Sequence, residues 1–299
     1  LRDAPGQGSV VERGKGRVAG HGASITSPWR CNDPTPRYTT WGHNPNDQGH
    51  PMLTNTSSGT NIAEIASGIY RINTPVPLPG GLSFNFNQYL VADDEPLLFH
   101  TGPRRMFPLV AEAIGKVVPL ARLRYLAFSH FEADECGALN DLLAAAPAAV
   151  PVCSTVAAMV SVNDIADRPA RALADGEVLR TGRHALAWLD APHVPHGWEC
   201  GFLMDRTTST LFCGDLFTQG GDGAVPVTEA DILGPSEAFR RAMDYYAHAP
   251  QTGETLERLA REQPQVLACM HGSAWRGDGA ALLRALAQSL GASRSVAAA

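Results

Sequence analysis

The segment LRYLAFSHFEADECGALN (residues 123–140) joins an apolar run to three closely spaced side chains that can bind metal. The run, Leu123–Phe128, has the length and composition of a buried strand. It is followed by His130, Glu132 and Asp134, which stand at every second position. Alternate residues of an extended chain face the same way, so these three side chains can converge. The segment therefore predicts a metal-binding strand end.

Three other apolar strands of the sequence also end in possible metal ligands. The segment LAWLDAPHVPH ends in His193 or His196, TLFCGD ends in Asp215, and VLACMH ends in His271. Side chains at strand ends and in the loops that follow commonly form sites at one edge of a sheet. Three imidazoles and three carboxylates would hold two metal ions, which Asp215 could bridge. Mixed nitrogen and oxygen ligation without thiolates suits iron, manganese or zinc.

The order of the predicted elements indicates a single α/β domain. Strands are predicted at residues 68–74, 83–92, 96–102, 124–129, 149–154, 185–193, 201–205, 209–215 and 265–271. Helices are predicted at residues 104–118, 137–146, 235–248, 254–262 and 279–290. Strands and helices mixed in this way suggest helices packed outside sheets.

Composition excludes several classes of function. The chain has 299 residues, of which 44% are hydrophobic and 18% charged, and its net charge of −6 argues against a nucleic-acid surface. Its apolar runs fall short of the roughly 20 residues that a membrane helix needs. The six cysteines form no CxxC pair, which favours reduced thiols. These features predict a cytoplasmic protein that binds neither nucleic acid nor membranes.

The first 51 residues differ from the rest of the chain. They are rich in Gly, Pro, Asn, Asp and Thr and show no sustained apolar periodicity, and the first methionine is Met52. We therefore expect residues 1–51 to be a disordered leader and residues 52–299 to form the domain. The last residues, 291–299, are expected to fray.

The quoted motifs resemble the metallo-β-lactamase superfamily and, within it, the di-iron oxygen-binding domain of flavodiiron proteins. The superfamily's His-x-His-x-Asp-His motif corresponds to residues 130–135, where Glu132 is the substitution typical of flavodiiron proteins. The segment FNQYLVADDEPLLFHTG resembles the early strand pair that usually ends in Asp-Thr-Gly, with His100 in place of the aspartate. STLFCGDLF, AMDYYAHAP and ACMHGSAWR resemble the bridging-aspartate segment, the paired-tyrosine helix and the final His-Gly-x-x-Trp-Arg motif.

The resemblance implies a metallo-β-lactamase-like αββα sandwich, in which two mixed β-sheets are flanked by helices and hold two iron ions. Carried over by position, it implies a first iron held by His130, Glu132 and His196, a second held by Asp134 and His271, and a bridging Asp215. The stretch HGWECGF corresponds to the family's His-Trp-Pro-Asp-Ser and so favours His196. His193 stays an alternative ligand or a hydrogen-bonding neighbour of one. Glu135 replaces the usual histidine and either ligates the second iron or orients another ligand.

Simpler roles stay open for several of these residues. Asp134 could cap the helix that follows it. Tyr245 and Tyr246 could be core aromatics, or one hydroxyl could reach the site. Cys213 and Cys269 share strand faces with Asp215 and His271 and are predicted to be buried apolar thiols.

Three functions are compatible with these motifs. The first is a non-haem di-iron protein that binds O₂ or NO, either as a reductase with a separate electron-donor protein or as an oxygen sensor. Full flavodiiron proteins carry FMN on a flavodoxin-like domain; this chain ends soon after Arg276, so no bound FMN is expected. Flavodiiron proteins also act as head-to-tail dimers, which makes a homodimer plausible here. The second is a dinuclear hydrolase with two zinc ions. The third is a binding module whose metal site is degenerate.

Overall fold

The computed structural model describes the backbone of residues 51–297 and side chains to residue 291. Within this range the chain forms two β-sheets. The first sheet has eight strands in sequence order: β1 Met52–Asn55, β2 Thr60–Ala66, β3 Ile69–Pro77, β4 Ser83–Val91, β5 Leu97–Phe99, β6 Tyr125–Ala127, β7 Val150–Ser154 and β8 Arg171–Leu173. The second sheet has the order β13-β15-β14-β12-β11-β10-β9. Its strands are β9 Val178–Arg180, β10 Ala185–Asp190, β11 Gly201–Asp205, β12 Thr210–Phe212, β13 Val227–Thr228, β14 Val266–Ala268 and β15 Ala274–Arg276.

The helices lie between and after these strands. They are α1 Phe107–Ile114, α2 Ala133–Cys136, α3 Leu139–Ala145, α4 Thr155–Ala157, α5 Asn163–Ile165, α6 Leu233–Met243, α7 Thr252–Arg261 and α8 Gly279–Ala297. A π-helical turn, Ala158–Val162, joins α4 to α5. No helix in residues 51–297 is both long enough and apolar enough to cross a membrane.

Three apolar clusters show how the layers are stacked. The central cluster lies between the sheets and joins Tyr89 and Phe99 of the first sheet to Trp188 and Phe212 of the second. Alternate residues of a strand face opposite sides, so Leu90 packs instead against the outer helices of the first sheet. A third cluster packs α7 and α8 on the outer face of the second sheet. Together the clusters confirm the predicted αββα sandwich, in which each fully buried large side chain contributes about 1.5–3 kcal/mol.

Parallel strand pairing brings the predicted strand ends to common edges. In the first sheet β5, β6 and β7 are parallel, with Phe99 opposite Ala127 and Ala127 opposite Val152. In the second sheet β12 and β14 are parallel, with Phe212 opposite Ala268. The carboxyl ends of paired parallel strands therefore emerge side by side, and the loops after them can meet.

The boundaries of several elements differ from those predicted. The predicted helix 235–248 runs over α6 and ends at Met243, because Asp244 adopts a left-handed conformation with φ of 49°. The predicted strand 185–193 ends at Asp190. Six strands were not predicted: the seven-residue β2 and the shorter β1, β8, β9, β13 and β15. The closing helix continues beyond residue 290 to Ala297. The predicted leader lies outside the described residues, apart from Pro51.

Candidate metal centre

Three strands, one from the first sheet and two from the second, deliver three side chains to the site at equivalent positions. His130, Asp215 and His271 each lie three residues beyond the last residue of β6, β12 and β14. Each of the three side chains is buried. Because β12 and β14 are paired in register, Asp215 and His271 leave the second sheet side by side. The strand-end pattern in the sequence therefore corresponds to one place in the fold.

The first half of the cluster consists of two imidazoles and two carboxylates. Nε2 of His130 and Nε2 of His196 each lie 3.0 Å from Oε2 of Glu132. Oδ2 of Asp215 lies 3.8 Å from Nε2 of His130 and 3.5 Å from Nε2 of His196. Potential ligand atoms of all four residues lie within 4.8 Å of one another, so they could hold a metal ion.

The second half of the cluster lies on the other side of Asp215. Its Oδ1 atom is 3.5 Å from Nε2 of His271, which is 3.4 Å from Oδ2 of Asp134. Asp215 thus directs one carboxylate oxygen to each half. Asp134 lies inside the first turn of α2 and not at its N-cap position, which Glu132 occupies without a capping hydrogen bond from its side chain.

A further carboxylate, Glu135, is also directed into the cluster. It is fully buried, and its Oε2 lies 3.8 Å from Nε2 of His130. Its ligand atom lies within 4.8 Å of those of Glu132 and Asp134, forming a second group that could hold a metal ion. Neither oxygen of Glu135 has a hydrogen-bond partner among the described residues, and the same holds for Oδ1 of Asp215.

The charges of the cluster shift the pKa values of its members. Hydrogen bonds from His130 and His196 lower the pKa of Glu132 to about 2, against the effect of burial. Burial alone lowers the pKa of His271, but Asp134 and Asp215 outweigh it and raise that pKa to about 9. Burial and the neighbouring Asp215 carboxylate raise the pKa of Glu135 well above its ordinary range. The metal-free cluster is thus a set of strongly interacting acids and bases.

Hydrogen bonds fix the far side of the imidazoles. Nδ1 of His271 donates to the main-chain oxygen of Asn85 at 2.7 Å. Nδ1 of His130 lies 3.0 Å from Oγ of Ser129. In both residues the other ring nitrogen, Nε2, is left facing the cluster, which is the usual arrangement of a metal-binding histidine. The sequence analysis identified neither hydrogen-bond partner. Only Ser129 could have been found from the sequence, because it directly precedes His130.

His100 lies behind this arrangement. Its Nε2 is 3.0 Å from Oγ of Ser129, and its Nδ1 is 2.9 Å from the sulfur of Met270. Burial lowers the pKa of His100 to about 3, so the ring is neutral at pH 7. His100 therefore reaches the cluster through Ser129 and His130.

The structure brings His196 into the cluster and leaves His193 outside it. His193 is exposed, and its backbone has a positive φ of 63°. Gly197, which follows His196, has a φ of 75°, and a Cβ atom there would lie 3.1 Å from Cβ of His130. The close approach of the two loops thus depends on a glycine. Sequence position alone left the choice between these histidines open.

Aromatic side chains line one side of the cluster. Phe84 lies 4.4 Å from His271 between ring centroids, and Phe86 lies 5.3 Å from it. Phe84 stacks on Phe239, and the hydroxyl of Tyr245 donates to the main-chain oxygen of Asp215 at 3.1 Å. Sequence reasoning missed the three phenylalanines.

The other residues with open roles lie in the core. Tyr246 is buried in the cluster on the outer face of the second sheet. Cys213 and Cys269 are buried there too, with their sulfur atoms 3.8 Å apart. All five cysteines of the described residues are free thiols, as predicted.

Comparisons with known proteins agree with this fold. A family model described as ODP family beta lactamase matches residues 84–272. The rubredoxin-oxygen oxidoreductase of Megalodesulfovibrio gigas is 28% identical over 204 residues, which cover 64% of this chain and 49% of that protein. The anaerobic nitric oxide reductase flavorubredoxin of Salmonella arizonae is 26% identical over 207 residues, which cover 65% of this chain and 42% of that protein. The chain thus spans about half the length, or less, of these curated relatives.

Solved structures give the same result. The rubredoxin oxygen:oxidoreductase from Desulfovibrio gigas superposes with a TM-score of 0.64 at 23% identity, covering 76% of this chain and 61% of that chain. The flavodiiron protein from Giardia intestinalis superposes with a TM-score of 0.62 at 19% identity, covering 77% and 59% respectively. At these identities the structural matches show a shared fold. With the family model and the curated relatives, they confirm the resemblance predicted from the sequence.

Proposed function

In this chain, which belongs to the family described as ODP family beta lactamase, we propose that the cluster holds two iron ions and binds O₂ or NO. The names of its relatives, an oxygen oxidoreductase and a nitric oxide reductase, support this choice of ligands. The protein would then act as a reductase with an external electron donor, or as an oxygen sensor. The proposed ligands are His130, Glu132 and His196 for the first ion, Asp134 and His271 for the second, and Asp215 for both.

The placement of Asp215 is the observation that carries this proposal. Its two oxygens are directed to opposite halves of the cluster, toward His196 and toward His271, at 3.5 Å each. A carboxylate bridging two cations needs this orientation. Oδ1 of Asp215 is buried and has no hydrogen-bond partner among the described residues, as expected of an oxygen whose partner is a metal ion.

The chemistry of the donors supports iron. The cluster offers carboxylates and imidazoles at ligand distance of one another, with no thiolate among them. Carboxylates balance the extra charge of a ferric ion, and mixed imidazole and carboxylate ligation is typical of non-haem iron. Zinc accepts the same donor types, so donor chemistry leaves zinc as the competing ion.

The surroundings of the cluster suit a small apolar gas. Two ferrous ions held by these residues would supply electrons to O₂ or NO, one from each ion. Phe84 and Phe86 cover His271, which is nearly fully buried, so the protein presents apolar surface beside the ligands. The hydrogen bond that Nδ1 of His271 donates to the main-chain oxygen of Asn85, and the contact of Nδ1 of His130 with Oγ of Ser129, would hold the two rings in place if the oxidation state of the ions changed.

The supply of electrons distinguishes a reductase from a sensor. Reduction of one O₂ to two waters consumes four electrons and four protons, and two iron ions hold only part of that supply. The names of the two curated relatives associate such reactions with rubredoxin and flavin components. We therefore propose a separate electron-donor protein for the reductase; a sensor needs none. A homodimer stays part of this proposal.

Metal analysis of protein purified without oxygen tests the proposal. We expect two iron ions per chain and a new optical absorbance when O₂ is added. His193→Ala is the matched control, because His193 is exposed and lies outside the cluster. With a chemical reductant present, sustained O₂ consumption identifies a reductase, and a single stoichiometric response identifies a sensor. Two zinc ions with no response to O₂ would contradict the proposal and favour a dinuclear hydrolase.

A further inference from the structure

Glu135 is a buried carboxylate that the six proposed ligands leave without a role. Its side chain is 0% exposed, and neither of its oxygens has a hydrogen-bond partner among the described residues. Buried polar groups of folded proteins are almost always hydrogen-bonded, and buried charges are paired or bind metals. The position of Glu135 therefore needs an explanation in terms of a partner.

The backbone of Glu135 is held while its side chain points into the cluster. The amide of Thr101 donates to the main-chain oxygen of Glu135 at 2.6 Å, which anchors α2 on the loop after β5. Oε2 of Glu135 lies 3.8 Å from Nε2 of His130. A carboxylate that orients His130 would accept a hydrogen bond from it, and 3.8 Å is too long for one.

Three carboxylates converge between the two halves of the cluster. Ligand atoms of Glu132, Asp134 and Glu135 lie within 4.8 Å of one another. Three acidic groups this close cannot all carry their charge in a buried environment without a counter-ion, and a cation between them would supply one. Asp134 connects this group to the second half, since Nε2 of His271 is 3.4 Å from Asp134 and 3.5 Å from Asp215.

We propose that Glu135 is a ligand of the second metal and makes that position oxygen-rich. This inference rests on the proposed two-metal site. The second ion then has one imidazole and three carboxylates, from His271, Asp134, Glu135 and Asp215. The first ion has two imidazoles, from His130 and His196. Carboxylate ligands favour harder ions such as manganese and iron, whereas imidazole also suits zinc. The two positions therefore differ in metal preference, and the second discriminates against zinc.

Titration of the metal-free protein with Mn²⁺ and with Zn²⁺ tests the inference, using Glu135→Gln and Glu135→His. We expect the full chain to bind two ions and Glu135→Gln to keep one. Its second ion should bind at least 10–100-fold more weakly, the loss that removal of an outer partner of a metal ligand already causes. Glu135→His should bind two ions again, but with the zinc-over-manganese preference of one position raised by about tenfold or more. Electron paramagnetic resonance of the manganese-loaded protein should show two coupled ions in wild type and an isolated ion in Glu135→Gln.

Particular outcomes would overturn the inference. Unchanged affinity of Glu135→Gln for the second ion would show that Glu135 is no ligand. The same conclusion would follow if Glu135→His kept the wild-type zinc-to-manganese ratio. Melting of the metal-free variants identifies a folding defect, and Glu135→His still tests the inference if Glu135→Gln fails to fold. Failure of the proposed function would give a different result in the titration, because the wild-type protein itself would then bind no pair of metal ions.

Discussion

Replacing Asp215 with asparagine tests the bridge between the two halves of the cluster. The change keeps the size of the side chain but turns one oxygen into an amide nitrogen that does not ligate. Asp215 now directs one oxygen toward His196 and the other toward His271, each at 3.5 Å. An amide can serve only one side, and the negative charge is lost for both. We therefore expect both ions to bind more weakly, by about 100-fold at the side that loses its ligand.

The magnitude can be measured as lost thermal stabilisation. An ion present at 100 times its Kd stabilises a folded protein by about 2.7 kcal/mol per site. After a 100-fold loss of affinity, the same concentration equals the Kd, and the stabilisation falls to about 0.4 kcal/mol. For a domain of this size, 1 kcal/mol corresponds to about 2–4 °C in Tm. The metal-induced rise in Tm should therefore shrink by roughly 5–9 °C per affected site.

Calorimetry with and without Mn²⁺ separates ligand loss from a folding defect. The metal-free Tm of Asp215→Asn should fall, because the variant loses the ion pairs of Asp215 with His130, His196 and His271. The metal-induced rise is therefore measured from each variant's own metal-free Tm. His193→Ala should keep the full metal-induced rise. The reasoning would be refuted if Asp215→Asn retained two ions and the wild-type rise in Tm.

Three further substitutions test the surrounding structure. Ser129→Ala removes the contact with Nδ1 of His130 and should lower the affinity for the first ion about 10–100-fold in metal titrations, with the affinity for the second ion unchanged. Equal losses of affinity for both ions would contradict this. Asp205→Asn breaks a buried pair with His184 at 2.8 Å and should cost about 3–5 kcal/mol of unfolding free energy at pH 7. Burial alone raises the pKa of Asp205, but its hydrogen bonds outweigh burial and hold that pKa below 3.8. The difference in unfolding free energy between wild type and Asp205→Asn should therefore disappear in denaturant titrations as the pH falls below 3.8. A difference in unfolding free energy that stayed constant with pH would contradict this. Gly201→Ala places a Cβ atom 2.3 Å from a buried indole and should cost about 1–3 kcal/mol or more; an unchanged Tm would show that the ring can move aside.

The positions of the candidate ligands were predictable because most of them directly follow apolar strands in the sequence. His130, Asp215 and His271 each follow an apolar strand by three residues, and the register of β12 and β14 places Asp215 beside His271. The alternation after β6 added Glu132 and Asp134. The α/β class and most of the converging residues could therefore be read from strand ends and their order, whereas the αββα arrangement came from the family resemblance.

The remaining features depend on contacts between distant segments, which a single sequence does not reveal. Phe84 and Asn85 adjoin His271 from a strand nearly two hundred residues earlier in the chain. Only the family resemblance favoured His196 over His193 in the sequence, and the physical reason lies in loop geometry, including the positive φ of Gly197. Short edge strands such as β13 have only two residues, too few to show a period.

The hydrogen-bond network beneath the cluster explains how it can be ordered before a metal binds. Arg71 of the first sheet donates at 2.9 Å to the main-chain oxygen of Gly272, directly after His271. Asn87 donates from its side chain to the oxygen of the same glycine at 2.8 Å, and its backbone amide donates to Met270. The loop that carries His271 belongs to the second sheet but is thus held by the first.

This arrangement has a consequence for affinity. A metal pair held by His130 from the first sheet and by Asp215 and His271 from the second would link the two layers. In a loosely packed sandwich, binding would have to order the layers, and part of its free energy would be lost to that ordering. Here Arg71 and Asn87 join them through hydrogen bonds that use no side chain of a proposed metal ligand. A metal pair held at this site would therefore bind without first ordering the two layers, which favours tight binding.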